Sequence, residues 1–314
     1  MYDKLRMWND RVMVGNNYPA IVNYLDTAKT QIDQRTGEIK TFGSLHGLNV
    51  AIHESGLSIT GSLPKFLYPD NIFPLNRKST KEAFEKLSDC LHFPTDKAKI
   101  ISLEFGTHFL MSKPVSAYLD MLKETSHLKR CRYEADTLYY RSNGRQKLKT
   151  IYFYDKVKEA EKRGVNIPEC YVNSNLLRYE MRYKGHLPQQ LKEPEITGKT
   201  LSDEAFYRKM VKLYSDAYFA IDKVKTVKTN SMNKINTVSD AFEVLVARLI
   251  NQSDQDQITA FMDELKQNQV FDDPKYYTRL KKKLSDIAGK ADVTETNSLI
   301  KELDNEIKNI SVYV

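Results

Sequence analysis

The chain has 314 residues, of which 41% are hydrophobic and 28% charged, as in a soluble globular protein with room for two domains. No apolar run approaches the ~18 residues that span a bilayer. The opening segment MYDKLRMWNDRV also lacks the apolar core of a signal peptide, so we expect a cytoplasmic protein. A net charge of +7 favours a polyanionic partner such as nucleic acid.

Several site classes are excluded by missing motifs. Cys90, Cys131 and Cys170 are far apart and form no CxxC pair, so neither disulfides nor a structural zinc site is expected. The sequence has no P-loop, no GxGxxG after a strand, no HExxH and no nucleophile elbow. The H-x-H metal motif of many nicking enzymes is also missing. Any metal must therefore be held mainly by carboxylates, which favours Mg²⁺ or Mn²⁺. The missing motifs leave ATP-driven work, dinucleotide chemistry and zinc hydrolysis without support, and no small-molecule substrate is expected.

The N-terminal part of the chain is predicted to be rich in strands. Gly56 and the alternating apolar residues around it predict a hairpin. Ser79 and Glu82 match a capping box at the start of a helix. The predicted elements in chain order are strands at Arg11–Val14 and Tyr18–Leu25, a hairpin of Leu48–Ile52 with Leu57–Thr60, a loop or edge over Leu63–Leu75, and the helix Ser79–Leu91.

The middle of the chain alternates strands with short helices, and Gly185–Thr200, with its prolines, is predicted as a linker. Asn143 and Gly144 predict a tight hairpin turn. The predicted elements are the strand Lys99–Phe109, the helix Pro114–Ser126, the strands Cys131–Tyr140 and Lys149–Asp155, the helix Lys156–Arg163 capped by Asp155, and the strand Asn175–Lys184.

Beyond the linker the pattern becomes helical, and no internal repeat is evident. The predicted helices are Ser202–Val224, Ser239–Asn251, Gln257–Gln267, Pro274–Gly289 and Thr294–Ile310. The sequence therefore predicts an α+β protein with a central antiparallel sheet in residues 1–195 and a helical C-terminal domain in residues 196–314.

The segment KLKTIYFYDKVK places a tyrosine at the end of a strand, between lysines. Strand alternation puts Tyr152 and Tyr154 on one face and Phe153 on the other. A phenol beside the ammonium of Lys156 is a candidate nucleophile, because a nearby positive charge favours the phenolate. The alternative is a half-buried strand tyrosine next to solvated lysines.

The strand KIISLEFGTHF carries Glu104 and His108 on one face, about 13 Å apart if the strand is straight. They could share a metal only if the strand bends, and Gly106 is the natural site for a bend. The alternative is that Glu104 faces solvent.

The strand NLLRYEMRYK places Glu180 between Arg178 and Arg182 on one face, each about 6.6 Å away. This pattern fits either a charge-compensated solvated face or a carboxylate ligand beside arginines that bind phosphate.

The order of these stretches resembles a known family. HESGLSITGSLPKF is followed by ISLEFGT, by a strand ending in FYDK and by LLRYEMRYKG before LP. Over residues 1–191 this is similar to the phage and plasmid rolling-circle replication initiators related to the filamentous-phage nicking protein of the gene II/X type, with a Rep-like (HUH) nuclease fold. Nothing in residues 202–314 matches.

The resemblance implies a site-specific single-strand DNA endonuclease and strand transferase that forms a 5′-phosphotyrosyl intermediate. The family's tyrosine, with a lysine two residues later, falls on Tyr154 and Lys156. The family's metal carboxylate, usually aspartate in an R-I-D context, falls on Glu104 in S-L-E. The R-[FY]-E strand falls on Arg178, Tyr179 and Glu180.

The metal, Mg²⁺ or Mn²⁺, is assigned to Glu104, Glu180 and His108, and the catalytic step to Tyr154 with Lys156. The sequence does not decide whether Tyr152, Tyr139 or Tyr140 assists Tyr154. We expect Glu104, Glu180 and Tyr154 to lie on one sheet face, with roughly 4–8 Å between the carboxylate and phenol oxygens. The basic residues assigned to DNA are Lys149, Arg178, Arg182, Lys184, Lys281, Lys282 and Lys283.

The expected partner is origin DNA, single-stranded or supercoiled. We expect the C-terminal helices to help bind the origin duplex or a partner such as a host helicase. Two alternatives stay open at this point. One is a non-catalytic DNA-binding regulator of replication or transcription on the same scaffold. The other is a structural partner protein whose basic charge is incidental.

Overall fold

The computed structural model describes residues 1–68, 72–142, 148–227, 235–253, 255–289 and 294–310. The strands in these ranges are β1 (Tyr2–Asp10), β2 (Thr27–Ile32), β3 (Ile39–Leu45), β4 (Leu48–Ile52), β5 (Gly56–Ser62), β6 (Lys99–Met111), β7 (Leu122–Thr125), β8 (Leu128–Tyr133), β9 (Thr137–Ser142), β10 (Lys149–Asp155), β11 (Asn175–Lys184), β12 (Ile221–Lys223), β13 (Lys225–Val227) and β14 (Thr294–Thr296).

The helices are α1 (Arg11–Val14), α2 (Leu63–Leu67), α3 (Arg77–Leu91), α4 (Val115–Met121), α5 (Lys156–Lys162), α6 (Leu187–Leu191), α7 (Gly198–Ser202), α8 (Glu204–Phe219), α9 (Val238–Gln252), α10 (Gln255–Gln267), α11 (Lys275–Ala288) and α12 (Ser298–Asn309). Short 3₁₀ segments follow α1 and precede β6 and β11. Among the described helices, none is long and apolar enough to cross a membrane.

Twelve strands form one sheet in the order β12-β7-β8-β9-β10-β11-β6-β1-β5-β4-β3-β2, and β13 pairs with β14 separately. Neighbouring strands in the large sheet are antiparallel. The expected α+β class with a central antiparallel sheet is confirmed. The N-terminal strand β1 lies inside the sheet, between β5 and β6, so the first residues are part of its centre.

One face of the central strands is apolar and aromatic and is covered by α8. The Tyr179 ring stacks on Phe153 with centroids 4.4 Å apart and on Tyr214 with centroids 4.0 Å apart. The Tyr179 hydroxyl donates to the Tyr214 carbonyl, and the Tyr214 hydroxyl donates to the Tyr179 carbonyl. Since strand side chains alternate, the side chains of the neighbouring residues in β10 and β11 lie on the opposite face, which is polar.

The predicted domain boundary between residues 195 and 196 stays a prediction. On its C-terminal side, α8 and α12 contribute Tyr214, Ile300, Leu303 and Ile307 to the same core as the sheet, each with no exposed surface. The segment predicted as a linker, Gly185–Thr200, forms α6 and the start of α7, so it is packed structure.

The strands and helix that carry the candidate site are confirmed. β10 and β11 have the predicted ends, β6 extends two residues beyond Phe109, and Asp155 caps α5 by accepting from the Val157 and Lys158 amides. The hairpin of β4 and β5 is also confirmed. The predicted turn at Asn143 and Gly144 lies outside the described residues.

Several predictions of individual elements in the N-terminal part of the chain were wrong. The predicted strands at Arg11–Val14 and Tyr18–Leu25 are α1 and a 3₁₀ helix, while β1, β2 and β3 were missed. Leu63–Leu75 begins with α2, because Ser62 caps it and Pro64 suits a first helical turn. The α3 capping box is formed by Asn76 with Ser79, not by Ser79 with Glu82.

Three predicted segments divide where the sequence suggested one element. Cys131–Tyr140 spans the end of β8 and the start of β9, and Pro114–Ser126 becomes α4 and then β7. The predicted helix Ser202–Val224 is α8 flanked by α7 and β12, because Asp203 caps a new helix. The other C-terminal helices are confirmed, except that Thr294–Thr296 is β14.

Candidate active site

The register of three central strands brings the predicted site residues to one face of the sheet. Side chains directly opposite each other in paired strands share a face. The three rows across β10, β11 and β6 are Tyr154–Arg178–His108, Tyr152–Glu180–Gly106 and Thr150–Arg182–Glu104.

Gly106 gives Glu180 the space it occupies. A Cβ atom at position 106 would lie 2.4 Å from the Tyr179 carbonyl oxygen and 2.8 Å from the Glu180 Cα. The pairing of β6 with β11 runs through Gly106 without a register shift. The glycine therefore allows β11 to approach closely at Glu180, while Glu104 lies with the carboxylates and His108 lies beside Arg178.

A third carboxylate, Asp3, enters the site from β1 and was not predicted. Tyr2 pairs with Phe105 but Leu5 pairs with Leu103, so β1 has one extra residue at this point. Such a bulge changes the direction of the side chains within it. Asp3 is thereby placed with Glu104 and Glu180, and one carboxylate oxygen from each lies within 4.8 Å of the others.

Two arginines bind these carboxylates. Arg178 has no exposed side-chain surface, and its Nε donates to Glu180 Oε2 at 3.1 Å while its Nη2 donates to Asp3 Oδ2 at 2.6 Å. Arg182 Nε lies 3.0 Å from Glu104 Oε1 and also donates to Glu180. Three carboxylates thus face two guanidinium groups, which leaves one formal negative charge.

This excess negative charge affects the pKa of Glu104. Burial, and next the Glu180 carboxylate, raise the pKa of Glu104 to about 7. For Glu180, burial acts in the same direction, but Arg178 and Arg182 outweigh it and lower the pKa below its usual value. Glu180 is therefore ionised at neutral pH, whereas Glu104 exchanges a proton near neutrality.

Tyr154 lies at the edge of this carboxylate group. Its hydroxyl donates to Glu180 Oε2 over 3.4 Å, a long hydrogen bond. Burial, and then the Glu180 charge, raise the pKa of the phenol well above its ordinary value, with Arg178 opposing them. The phenol is neutral in this arrangement, so the lowered pKa expected from a neighbouring lysine is not found.

Lys156 is turned to a different partner. It is buried, and its Nζ lies 2.9 Å from Glu159 Oε2 on the same helix. The cation whose charge favours the Tyr154 phenolate is Arg178.

His108 is close to the site but outside the acidic group. Its Nε2 lies 3.1 Å from Arg178 Nη1. Burial first, and then the charges of Arg178 and Lys156, hold the pKa of His108 well below its usual range, so the ring is neutral. The neutral ring accepts a hydrogen bond from Arg178 and so orients this arginine. In the described residues, the group of potential metal ligands consists of Asp3, Glu104 and Glu180, so Asp3 takes the place that the sequence assigned to His108.

The residues predicted to bind DNA are distributed over different surfaces. Lys184 is exposed on the carboxylate face, whereas Lys149 lies opposite Tyr183 on the other face. Arg178 is fully buried, with all three guanidinium nitrogens bonded within the protein. Lys281, Lys282 and Lys283 are exposed on α11, which packs against α9 and α10.

The carboxylate group fits a hard divalent cation. Its three donors are carboxylate oxygens, the ligand type that Mg²⁺ and Mn²⁺ prefer, and its net negative charge is not balanced by the arginines. A raised carboxyl pKa in such a cluster indicates a position where added positive charge would be favourable.

A family model described as the N-terminal region of a replication-associated protein of the gene II type matches residues 20–217. The chain belongs to this family. The predicted resemblance is confirmed, and membership in a replication-associated family supports the predicted role as a rolling-circle replication initiator. No curated protein sequence matches the chain.

This chain is similar in part to a solved structure described as a rolling circle replication initiator protein from Geobacillus stearothermophilus. The alignment covers 74% of this chain and 89% of the other, with 10% sequence identity and a TM-score of 0.41.

The matched residues 20–217 include β6, β10 and β11, which carry most of the site of this replication-associated protein. Asp3 lies outside the matched range. The only sequence signal for Asp3 is a carboxylate near an apolar strand, YDKLRMW, and simple alternation would place it on the side of Leu5.

Proposed function

We propose that this chain initiates rolling-circle replication by nicking one DNA strand with Tyr154 as the nucleophile. The observation that carries the proposal is the hydrogen bond from the Tyr154 hydroxyl to Glu180, a member of the Asp3–Glu104–Glu180 group. Family membership supplies the replication context, and the site supplies the chemistry.

In the proposed step the Tyr154 phenolic oxygen attacks the scissile phosphorus and the P–O3′ bond breaks. The products are a DNA end with a free 3′-hydroxyl and a 5′-phosphate joined to Tyr154. The phenolic proton passes to a carboxylate, for which Glu180 Oε2 is 3.4 Å away, and the leaving 3′-oxygen takes a proton from solvent. The phosphotyrosyl bond keeps the energy needed for rejoining, so no ATP site is required.

Asp3, Glu104 and Glu180 would hold a Mg²⁺ or Mn²⁺ ion. When bound, such an ion polarises the phosphate and stabilises negative charge that develops in the transition state. The arginines have separate tasks. Arg178 holds Asp3 and Glu180 in position, and Arg182, whose side chain is 29% exposed, is the one with a surface that DNA can reach.

The raised pKa of the Tyr154 phenol explains why the attack needs charged groups next to it. A neutral phenol is a weak nucleophile, so attack requires both a base and a compensating positive charge next to the phenol. The carboxylate group beside Tyr154 can accept the proton and hold the cation.

The test is nicking of supercoiled DNA that carries the replication origin of the element encoding this chain. We expect the wild type with Mg²⁺ or Mn²⁺ to produce nicked circles and a detergent-resistant protein–DNA adduct. Tyr154→Phe should abolish both, a loss of at least about 10³-fold. Tyr152→Phe is the matched control, since it removes a hydroxyl from the same strand face one row away, and it should retain nicking.

An adduct formed by Tyr154→Phe would show that another residue is the nucleophile. Salt-dependent DNA binding by the wild type, with no cleavage in either metal, would favour the alternative of a non-catalytic DNA-binding regulator.

A further inference from the structure

The polar face of the sheet continues beyond the carboxylates as a line of aromatic and arginine side chains. The Arg182 guanidinium lies 4.2 Å from the centre of the Tyr152 ring. The Tyr152 and Tyr139 ring centroids are 5.9 Å apart, and Arg141 lies 3.8 Å from the centre of the Tyr139 ring. We call Arg182, Tyr152, Tyr139 and Arg141 the stacking line.

The stacking line starts at the carboxylates and leads away from them across β11, β10 and β9. Arg182 is its inner end, because the same guanidinium is bonded to Glu104 and Glu180. Tyr139 pairs directly with Tyr152, and Arg141 is two residues further along β9. All four side chains are partly exposed, while their strand neighbours Leu138, Tyr140, Ile151 and Phe153 are buried on the other face.

This face has the chemistry of a surface for unpaired nucleotides. Aromatic rings and arginine planes stack with bases whatever their sequence, and guanidinium groups bind phosphate. On the next strand, β8, Lys129 is exposed and pairs with Arg141, which adds positive charge on the same side of the sheet. The outer part of the line carries no carboxylate opposite Tyr139 or Arg141, so it suits a polyanion.

We propose that single-stranded DNA next to the cleaved phosphate is bound along this line, with bases stacked on Tyr152 and Tyr139 and phosphates on Arg141 and Lys129. This inference rests on the proposed function, since the line leads from the Tyr154 site. Its position on β9 and β10 differs from the basic face of α11. Because stacking is tolerant of sequence, the line holds the strand without selecting the origin.

Tyr139 gives the sharpest test because it contacts no carboxylate of the site. Binding of a labelled oligothymidylate of about ten nucleotides is measured in EDTA, so that no cleavage occurs. We expect Tyr139→Leu to weaken this binding at least about fivefold, the loss of one base stack, and Tyr139→Phe to bind like the wild type. Equal affinity of Tyr139→Leu and wild type would overturn the proposal.

Arg141 is tested by salt dependence. The slope of log K against log salt is about −0.7 for each phosphate neutralised on a single strand. We therefore expect Arg141→Gln to make the slope less steep by about 0.7, and Tyr139→Leu to lower affinity with the slope unchanged. An unchanged slope for Arg141→Gln would show that Arg141 does not bind a phosphate of the strand.

Tyr276 on α11 serves as the matched control. It is 44% exposed, and Arg279 lies 5.5 Å from its ring centre, so it resembles the stacking line chemically. We expect Tyr276→Leu to bind the oligonucleotide like the wild type. A loss as large as that of Tyr139→Leu would transfer the site to α11. These binding measurements need no cleavage. The stacking line can therefore be refuted while nicking by Tyr154 is confirmed, and nicking by Tyr154 can be refuted while the stacking line is confirmed.

Discussion

Asp3 and Arg178 form a buried ion pair that fixes one edge of the carboxylate group. The Asp3 side chain is 6% exposed and Arg178 is not exposed at all. Removing one partner of such a pair leaves a buried charge without compensation, which costs roughly 3–5 kcal/mol. Arg178 would keep Glu180 as a partner, so the lower end of that range applies here.

We therefore expect Asp3→Asn to lower the free energy of unfolding by about 3 kcal/mol and to weaken the thermal stabilisation produced by Mg²⁺ or Mn²⁺. Both quantities are measured by denaturant and thermal unfolding with and without metal. Asp10→Asn is the control on the same strand. Its ion pair with Lys99 is exposed and should contribute at most about 1 kcal/mol. Equal effects of the two variants would contradict a metal role for Asp3.

The sequence could predict residues whose strands are regular. Glu104, Glu180 and Tyr154 lie in β6, β11 and β10, which pair with one another without a register shift, so their common face could be predicted. Asp3 could not be found in this way, because the bulge that turns it toward Glu104 depends on how β1 pairs with a strand about 100 residues later. The partner of Lys156 was likewise set by the α5 geometry that brings Glu159 within reach.

At the scale of elements, the Glu302 carboxylate of α12 binds the residue that follows β6. Glu302 accepts hydrogen bonds from the Ser112 amide and Ser112 hydroxyl, each at 2.8 Å, and from the Tyr118 hydroxyl in the middle of α4. Burial acts to raise the pKa of Glu302, but the hydrogen bonds from Tyr118 and Ser112 outweigh it and lower the pKa below 4.5.

A lowered carboxyl pKa contributes stability above the unfolded value of about 4.5, and this contribution is lost as the pH falls through the folded value. We expect Glu302→Gln to be less stable than wild type by about 1 kcal/mol at pH 7, with the difference shrinking below pH 4. Urea unfolding at both pH values measures it. Glu264→Gln, on the exposed surface of α10, should show no such difference, and a constant gap for Glu302→Gln would contradict the assignment.

The alternation and the exposure of each element explain whether it could be predicted from the sequence. Strands with apolar alternation, such as β10 and β11, were located to the residue, because their pattern reflects two different faces. The edge strand β2 and its neighbour β3 were missed since much of their surface is exposed and their sequence has little alternation. The helical spacing of apolar residues such as Phe206 and Met210 predicted a helix, but the place of α8 on the sheet depends on Tyr179 and Phe153 in distant strands.

At the scale of the whole molecule, the sheet needs helices from both predicted domains. Tyr214 and Tyr218 of α8 and Leu303 of α12 have no exposed surface in the shared core. A chain ending at residue 195 would lose these contacts and expose Tyr179 and Phe153. We expect such a fragment to unfold without a cooperative transition and to bind a hydrophobic dye. The full chain should unfold cooperatively and should not bind the dye. Cooperative unfolding of residues 1–195 would support the predicted boundary.

The distance along the chain between Asp3 and Arg178 also affects when the site can form during synthesis. Arg178 joins Asp3 across 175 positions of the chain, and the face is complete only with β11, which pairs with β6. Contacts of such long sequence separation form late in folding, because the loop between them must be closed first. A ribosome-bound chain that has not yet released β11 has neither Arg178 nor Glu180. The carboxylate group, and any DNA cleavage that depends on it, therefore begins only when the chain is long enough to close its own sheet.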